Sequence, residues 1–498
     1  MFNKLSVVFW CVALAFIGGA ISLSCKADIV QKPVIYVNNK IGDDTFDGLT
    51  ATRGNTVKSG PLASIMEAVR KAPVGACISI ANTGDDYRET LKIESFNKGR
   101  AANPLVIDGH GATVNGLVAI PTQSWIPIKD DIYAFDGLMP NGKRMVMPNS
   151  NWLSHLKHQG WFDEAPQVPQ IFFINGKLAP HTKELANIAP GGFFYDSQVV
   201  PRCLYFRLPQ NGKLADQRVE IPLNEGVYVS DDYVVVRNLR SIYSQDDGFY
   251  GFWGIGVVLE NIYSGYNCDQ GISFHGTAST TVDNALIEYN AGCGIADVMS
   301  CSGIYRNIVV RNNFPTGGLF QGLAFTLLNC RFENNCGLQV KSEYATSLNM
   351  VNCLVDGNGQ FDGIELVGGK LYRCTVVNCQ TGIRTFKPMN INSSIIAQCQ
   401  KTPLEFISEP ALKESSFNRL ILSLGNEAWD AGMKRIFGAT ADRYLQNPND
   451  TSLINANPVL KAPLYALPND SPLFKAGDLG TTPGATLPEY TGWKVIEY

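Results

Sequence analysis

Short runs of apolar, β-branched residues alternate with turns rich in glycine and asparagine along most of the chain. From residue 226 onward, a glycine followed by an apolar residue recurs about every 22 residues. Units this short show no helical period and cannot bury an apolar face alone, so successive units must stack strand on strand, about 4.8 Å apart. The pattern predicts an all-β fold, a right-handed, single-stranded parallel β-helix. The repeated glycines are Gly226, Gly248, Gly271, Gly294, Gly318, Gly337, Gly363 and Gly382.

A second repeat places an asparagine at one corner of successive rungs. Stacked amides can satisfy the backbone groups of turns, so we expect this column to be structural. A further repeat of cysteines, with Cys330, Cys353 and Cys374 at similar spacing, predicts a stack of buried thiols rather than a disulfide framework or a metal site. The asparagines are Asn261, Asn284, Asn307, Asn329 and Asn352.

The period is lost near both ends and in one internal stretch. The segment 62–71 is amphipathic and predicts a helix that caps the open end of the solenoid. Between about 122 and 224, aromatic and charged residues replace the repeat, which indicates an inserted β-rich subdomain. The predicted segments are 1–27 (signal peptide), 28–121 (N-terminal cap and first rungs), 122–224 (insertion), 225–400 (β-helix core) and 401–498 (C-terminal helical segment and extended tail).

Composition narrows the class of protein. The chain has 498 residues, of which 45% are hydrophobic and only 17% charged, and this balance excludes a disordered chain. The net charge is −4 and the basic residues form no block, so nucleic acid is not an expected partner.

The N-terminal segment predicts export. Lys4 precedes an uncharged, mostly apolar run that ends at Cys25-Lys26-Ala27, a small-x-small site for cleavage before Asp28. The mature chain is therefore expected to be secreted or periplasmic, with no membrane span. Two alternatives stay open, namely a lipid anchor at Cys25 and an uncleaved membrane anchor.

Several runs outside the repeat extend a resemblance over nearly the whole mature chain. Together with the repeats they resemble the secreted right-handed parallel β-helix proteins of bacteria, which include pectate lyases, polygalacturonases, xylosidases, alginate lyases and uronate epimerases. The resemblance implies a polysaccharide as partner without naming a reaction. The runs include Tyr36-Val37, Gly42-Asp43-Asp44, Asn103-Pro104-Leu105 and Asn469-Asp470-Ser471-Pro472.

Acidic residues precede two of the repeated glycines. Asp246 and Asp247 come before Gly248, and Asp269 comes shortly before Gly271, so Asp246 and Asp269 are expected to be neighbours on adjacent rungs, about 5 Å apart at the backbone. Like charges this close raise one pKa and leave a protonated acid beside an ionised nucleophile, as in a retaining glycosidase. That chemistry requires no cofactor.

Two other interpretations of the acidic residues stay open. Ca²⁺ could be bound by Asp247 and Asp269 with backbone carbonyls. Alternatively, the carboxylates only cap the backbone amides of turns.

Further residues are candidates for the same site. An odd offset of three from Ile272 predicts that His275 faces outward, where its imidazole could act as general acid or base or hold a substrate carboxylate. Tyr250, Trp253 and Asp297 are candidate cleft walls that bind substrate. In the insertion, two histidines lie between two tryptophans that could stack on sugar rings. These four residues are Trp152, His155, His158 and Trp161.

The resemblance also offers two site patterns, and the sequence departs from both. Polygalacturonases place Asp on one rung, paired Asp on the next and His on the one after, whereas here Gln270 follows Asp269 and His275 comes early. The runs 247–249 and 267–271 are similar to those of calcium-dependent pectate lyases, but Gln270 removes one anionic ligand. A lyase also needs a base. Lys341, Arg384 and Lys387 are candidates, yet Lys341 lies three rungs from Asp269, about 14 Å away. All three better suit binding of an anionic sugar, or only a solvated face.

These observations predict a secreted enzyme that cleaves a polysaccharide, with Asp246, Asp247 and Asp269 as catalytic residues and His275 as auxiliary residue. The alternative enzyme is a calcium-assisted lyase or epimerase that acts on a uronate polymer. A non-catalytic glycan-binding surface protein is the third possibility, because a fold alone implies no activity.

Overall fold

The computed structural model of the chain describes the solenoid, most of the insertion and part of the C-terminal region. The described residues are 32–145, 147, 172–182, 184–196, 199–344, 346–424, 427, 429–437, 441, 452–456, 458, 460, 465, 467–473, 475–477, 481–487 and 493. The predicted export segment 1–27 lies outside them, so its cleavage stays a prediction.

The chain forms a right-handed parallel β-helix of about eight turns, which confirms the fold predicted from the repeat. Its longest sheet, here called sheet I, has 19 strands. Four of these strands are long, and later rungs contribute two short strands instead. The strands are β1 (Val34–Val37), β2 (Cys77–Ile80), β4 (Leu105–Asn115), β14 (Val234–Ile242), β16 (Ile255–Gly265), β18 (Ser279–Glu288), β20 (Ser302–Arg306), β21 (Val309–Arg311), β23 (Ala324–Leu328), β24 (Arg331–Glu333), β26 (Ser347–Val351), β27 (Leu354–Asp356), β29 (Gly369–Tyr372), β30 (Thr375–Val377), β32 (Met389–Asn392), β33 (Ile395–Ala397), β35 (Ser416–Asn418), β36 (Leu420–Leu422) and β37 (Leu453–Asn455).

The second sheet of the solenoid, sheet II, has ten parallel strands and carries the candidate site on its outward side. Its alternation is clear in β17, where Ile272 and Phe274 point into the core while Ser273 and His275 point outward. The strands are β3 (Leu91–Ile93), β13 (Val227–Val229), β15 (Phe249–Phe252), β17 (Ile272–His275), β19 (Ile295–Asp297), β22 (Thr316–Phe320), β25 (Leu338–Ser342), β28 (Asp362–Leu366), β31 (Thr381–Thr385) and β34 (Thr402–Phe406).

Apolar side chains at equivalent positions stack along the interior of the solenoid. In sheet I one such column runs through Val236, Leu259, Val282, Tyr305, Leu327, Met350, Leu371, Ile391 and Phe417, all of them buried. Each rung contributes one member, so each rung buries its apolar face only when its neighbours are in place.

Asparagine ladders hold the corners. In the outer ladder, which the sequence predicts, Asn284 donates to Asn261 at 3.1 Å, and its positive φ of 56° is one that asparagine tolerates well. A second, buried ladder lies at another corner, where Asn267 donates to Asn290 at 2.8 Å and Asn290 donates to Asn313 at 2.8 Å. Both ladders satisfy polar groups within the stack.

The cysteines of the described residues are free thiols, and most of them are buried. Cys330, Cys353 and Cys374 all lie in the main core. The structure thus places this column inside the solenoid, as the spacing predicts.

Helix α1 (Ile65–Lys71) packs against the first rungs. Ser64 caps its N-terminus by accepting a hydrogen bond from the Glu67 amide, and Ile65, Ala68 and Val69 are buried in the solenoid core. The helix therefore covers apolar surface at the end of the solenoid. In the middle of the solenoid, the neighbouring rung covers the equivalent surface.

The insertion enters and leaves the solenoid at one point, since the amides of Leu223 and Asn224 both donate to the Gly116 carbonyl. Strand β4 consequently pairs directly with β14. Two four-stranded antiparallel sheets and an aromatic core form the insertion. Its strands are β5 (Leu117–Ala119), β6 (Ile126–Lys129), β7 (Ile132–Phe135), β8 (Phe173–Ile174), β9 (Lys177–Leu178), β10 (Phe193–Asp196), β11 (Cys203–Arg207) and β12 (Val219–Pro222).

The C-terminal region contributes α2 (Glu409–Glu414), α3 (Trp429–Phe437) and an extended tail. Leu467 and Leu487 of the tail pack on outward side chains of sheet I, among them Ile395 and Ile421. Among the described residues, no helix has the length and apolar character that a transbilayer segment needs.

Candidate active site

Three carboxylates meet on the outward side of sheet II. One oxygen from each of Asp246, Asp247 and Asp269 lies within 4.8 Å of the others. The rung spacing brings them together, because the Asp269 amide donates to the Asp246 carbonyl at 3.1 Å. Asp247 is only 5% exposed, whereas Asp246 and Asp269 are partly exposed. Water or a substrate can therefore reach the latter two.

Burial and neighbouring carboxylates raise the pKa of all three carboxyls. Burial raises the pKa of Asp246, with a further contribution from the charge of Glu225. Burial, followed by the charges of Asp269 and Asp246, raises the pKa of Asp247 well above its usual range. Burial and the charge of Asp246 raise the pKa of Asp269 to about 7. The cluster therefore retains protons at pH values where isolated carboxyls are ionised.

Gln270 connects the carboxylates to the sheet. Its backbone amide donates to Asp247 Oδ1 at 2.8 Å, and its side-chain amide donates to Asp269. Gly292 on the following rung leaves room for the Asp269 carboxylate, since a Cβ there would lie 2.2 Å from Asp269 Oδ1. Asp247 thus caps the backbone amide of Gln270 in the turn, whereas the Asp269 carboxylate is held by the Gln270 side chain.

Glu225 is a fourth carboxylate beside the cluster, and the sequence analysis missed it. It accepts a hydrogen bond of 2.5 Å from the Tyr250 hydroxyl, and its charge acts on Asp246. The signal was available, because Glu225 precedes Gly226 as Asp247 precedes Gly248. Tyr250 is only 8% exposed, so it supports Glu225 more than it forms a cleft wall.

His275 faces outward, as its offset predicts, but Ser273 lies between it and the carboxylates. His275 Nε2 lies 2.9 Å from Ser273 Oγ, and the Ser273 hydroxyl also hydrogen-bonds Asp247. The imidazole stacks on Phe252 at 4.5 Å between ring centroids. Burial lowers the pKa of His275, which favours the neutral imidazole. A neutral ring suits proton transfer better than it suits binding of a substrate carboxylate.

The insertion packs against the solenoid at Cys268, next to the carboxylate cluster. Cys268, which directly precedes Asp269, packs in the insertion's aromatic core together with Tyr195. The Tyr195 hydroxyl hydrogen-bonds Arg202, which also donates to the Met147 carbonyl. The sequence did not predict the positions of Tyr195 and Arg202, because the insertion lacks the repeat that places residues on the rungs.

Trp253 lies at the end of β15 and is 59% exposed. Gly276 provides the space for its ring, because a Cβ on Gly276 would lie 2.4 Å from the Trp253 indole nitrogen. Its ring is exposed, which suits the cleft wall predicted there, and its contact with substrate stays a prediction.

The expectation that Asp297 lines the cleft is wrong. Its side chain is fully buried, where it accepts hydrogen bonds from the Phe274 amide at 3.1 Å and from the Tyr305 hydroxyl at 2.6 Å. Burial raises the pKa of Asp297 to about 7. The inward direction follows from β19, in which Ala296 takes the outward position in register with Leu319.

Lys341 and Arg384 lie on the same outward face but belong to a separate network. Lys341 pairs with Glu343 at 2.6 Å and Glu365 at 3.6 Å, and Arg384 pairs with Glu405 at 2.7 Å, Glu365 at 3.2 Å and Asp362 at 3.8 Å. Strand register places Lys341 three strands beyond the level of Ser273. Both cations are therefore paired and remote from the carboxylate cluster.

The aromatic wall predicted from Trp152, His155, His158 and Trp161 lies outside the described residues.

A divalent cation fits the cluster by donor type, since Ca²⁺ binds oxygen ligands and three carboxylates converge here. Asp247 and Asp269 would supply ligands, together with Asp246. One oxygen of Asp247 and one of Asp269 already accept hydrogen bonds from Gln270, so additional oxygens would have to come from water or substrate.

Comparisons with known proteins agree with the architecture. Residues 223–381 match the family model described as the right handed beta helix region. None of the curated proteins matches the sequence.

Similar solved structures share little sequence with the chain. The complex of XylC with xylose has a TM-score of 0.47 at 12% identity and covers 78% of this chain and 68% of its own. A glycoside hydrolase has a TM-score of 0.44 at 11% identity, covering 78% and 92%. A pectate lyase has a TM-score of 0.44 at 12% identity, covering 93% and 96%. Similarity at this level assigns neither a reaction nor a substrate. The wound sheets give this chain the fold of a right-handed parallel β-helix, and the region matched by the family model lies within it.

Proposed function

We propose that the protein is a carbohydrate-active enzyme that hydrolyses a polysaccharide, with Asp246 and Asp269 as its catalytic carboxyls. The observation that carries the proposal is the convergence of three carboxylates within 4.8 Å on an outward face, two of them partly exposed. Retaining glycosidases use two carboxyls about 5–5.5 Å apart. The spacing thus supports hydrolysis through a covalent intermediate.

The two partly exposed carboxyls, Asp246 and Asp269, take different roles. Asp269, whose pKa is raised to about 7, holds a proton near neutral pH and donates it to the glycosidic oxygen as the bond to the anomeric carbon breaks. Ionised Asp246 attacks that carbon and forms a glycosyl ester. A water molecule then hydrolyses the ester while Asp269 takes up its proton, so both carboxyls return to their starting states.

Asp247 and His275 support this pair. Asp247 is nearly inaccessible and hydrogen-bonded to the Gln270 amide, so it orients the turn that carries Asp269. His275 is linked to Asp247 through Ser273 and acts as a positioning residue for that carboxyl.

The second candidate function is a calcium-assisted lyase or epimerase. The same three carboxylates favour it, because a divalent cation would offset their repulsion. The candidate bases of a lyase argue against this function. Lys341 and Arg384 are held in ion pairs, and Lys341 lies about 14 Å from Asp269 along the stack of rungs.

The test is incubation of the purified protein with a panel of plant and algal polysaccharides, followed by product analysis. Hydrolysis yields saturated reducing ends in the presence of a chelator, and Asp246→Asn or Asp269→Asn lowers turnover by about 10²–10⁴-fold. An unsaturated product that absorbs in the ultraviolet and requires Ca²⁺ would instead assign a lyase. Binding without any cleavage would leave a glycan-binding protein.

A further inference from the structure

The ion-pair network along sheet II carries a net negative charge. Two cations, Lys341 and Arg384, face four carboxylates in contact with them, Glu343, Asp362, Glu365 and Glu405. Glu343 also accepts a hydrogen bond from Gln321. A ligand that approaches this network meets cations already neutralised and carboxylates in excess, which opposes binding of an anionic polymer.

The carboxylate cluster extends the acidic character of the same face. Glu225 lies beside Asp246, and the cluster lies about three strands from Lys341 in register. An ionised carboxylate, as proposed for Asp246, accepts hydrogen bonds from sugar hydroxyls, and a protonated carboxyl, as proposed for Asp269, also donates one. The ionised carboxylates of the face repel a uronate carboxylate placed among them.

Aromatic rings adjoin the cluster on β13, β15 and β17. Tyr228 and Tyr250 lie 4.8 Å apart between ring centroids, and Phe252 contacts both His275 at 4.5 Å and Trp253 at 5.3 Å. Trp253 presents the most exposed ring of this row. Rings of this kind bind the apolar C–H faces of sugars without any requirement for charge.

We propose that the glycan bound across this face is a neutral polysaccharide and not a polyuronate. That this glycan is a substrate rests on the proposed function. That it is neutral follows from the charges on the outward face of sheet II. The lowered pKa of His275 supports a neutral ligand, because the neutral imidazole adds no positive charge to the row of aromatic rings. The substrate's hydroxyls bind the carboxylates while its sugar faces stack on Trp253.

Binding is measured separately from cleavage. Asp269→Asn in the full chain is titrated with neutral oligosaccharides from xylan, glucan and galactan, and with oligogalacturonate and oligoalginate. We expect a neutral glycan to bind with an affinity that changes less than about twofold between low salt and about 1 M salt, where charges are screened beyond about 3 Å. A uronate that binds more tightly than every neutral glycan overturns the proposal, and so does the absence of binding by either class.

A variant pair tests the aromatic contact. Trp253→Asn removes the ring and introduces a residue that tolerates the positive φ of 62° at this position. We expect it to weaken neutral-glycan binding about tenfold or more. Leu323→Ala, which alters another side chain that is 62% exposed, serves as the control and leaves affinity unchanged. Equal affinities for Trp253→Asn and the unmodified chain contradict the proposal.

The two proposals fail in different ways. If Asp269→Asn binds a neutral glycan but the unmodified chain cleaves none, hydrolysis is wrong and the ligand assignment stands. If the unmodified chain hydrolyses a polyuronate, the enzyme assignment stands and the ligand assignment is wrong.

Discussion

Replacing Asp269 by asparagine should make the protein more stable at pH 8 while it lowers turnover. The carboxyl lies among like charges and its pKa is raised from 3.8 to about 7, so the folded state resists its ionisation. At about 1.36 kcal/mol per pKa unit this shift corresponds to about 4 kcal/mol. Water reaches the partly exposed carboxylate and screens it, so we expect about 2 kcal/mol.

The effect should depend on pH in a defined direction. A carboxyl whose pKa is higher in the folded than in the unfolded state binds its proton more tightly when folded, so stability is greatest below pH 4 and falls as pH rises toward 7. The Asp269→Asn variant loses this slope. Its advantage should therefore be near zero at pH 4 and complete at pH 8.

Thermal and urea unfolding at pH 4, 6 and 8 measure this difference. Asp130→Asn serves as the control, because Asp130 is exposed and its φ of 51° suits asparagine. If Asp269→Asn is less stable than the unmodified chain at pH 8, the carboxylate is a structural cap and the argument from charge repulsion is refuted.

Three further predictions follow from the same contacts. The kcat/KM for polysaccharide cleavage should fall as pH rises through about 7, because Asp269 then loses the proton it must donate, and a rate that instead rises through this range contradicts that role. Chelation should leave hydrolysis within about twofold of its original rate, whereas a loss that added Ca²⁺ restores favours a metal-dependent reaction. Asn290→Ala should lower the free energy of unfolding by about 2–4 kcal/mol, since it removes the buried side-chain hydrogen bonds that Asn290 makes to both neighbouring rungs. Asn284→Gly in the partly exposed outer ladder should cost less than about 1 kcal/mol, and equal losses in urea unfolding would contradict the distinction.

The solenoid could be predicted from sequence because every rung packs on its neighbours in the same way and therefore needs the same residue types at the same positions. Glycines, asparagines and apolar residues recur at the rung length, and the structure places Asn261 and Asn284 in one ladder. The same periodicity brought Asp246 beside Asp269, since 23 residues separate them. These are consequences of a repeated local geometry and need no knowledge of distant contacts.

Other parts of the site depend on contacts that the repeat does not encode. Asp297 is predicted as a cleft wall, although its offset of two from inward Ile295 indicates the core, where the Tyr305 hydroxyl from sheet I donates to it. Tyr195 packs with Cys268 in the aromatic core of the insertion, and Arg202 hydrogen-bonds the Tyr195 hydroxyl. Their position depends on how that core packs on the solenoid at Cys268.

The anomeric configuration of the first product, followed by nuclear magnetic resonance during cleavage of a neutral polysaccharide, tests the central claim most directly. Carboxylate oxygens within 4.8 Å predict retention of configuration, with the rate lowered by about 10²–10⁴-fold after Asp246→Asn. Inversion would place a water molecule between the carboxyls and contradict a covalent intermediate on Asp246. An unsaturated sugar would contradict hydrolysis altogether.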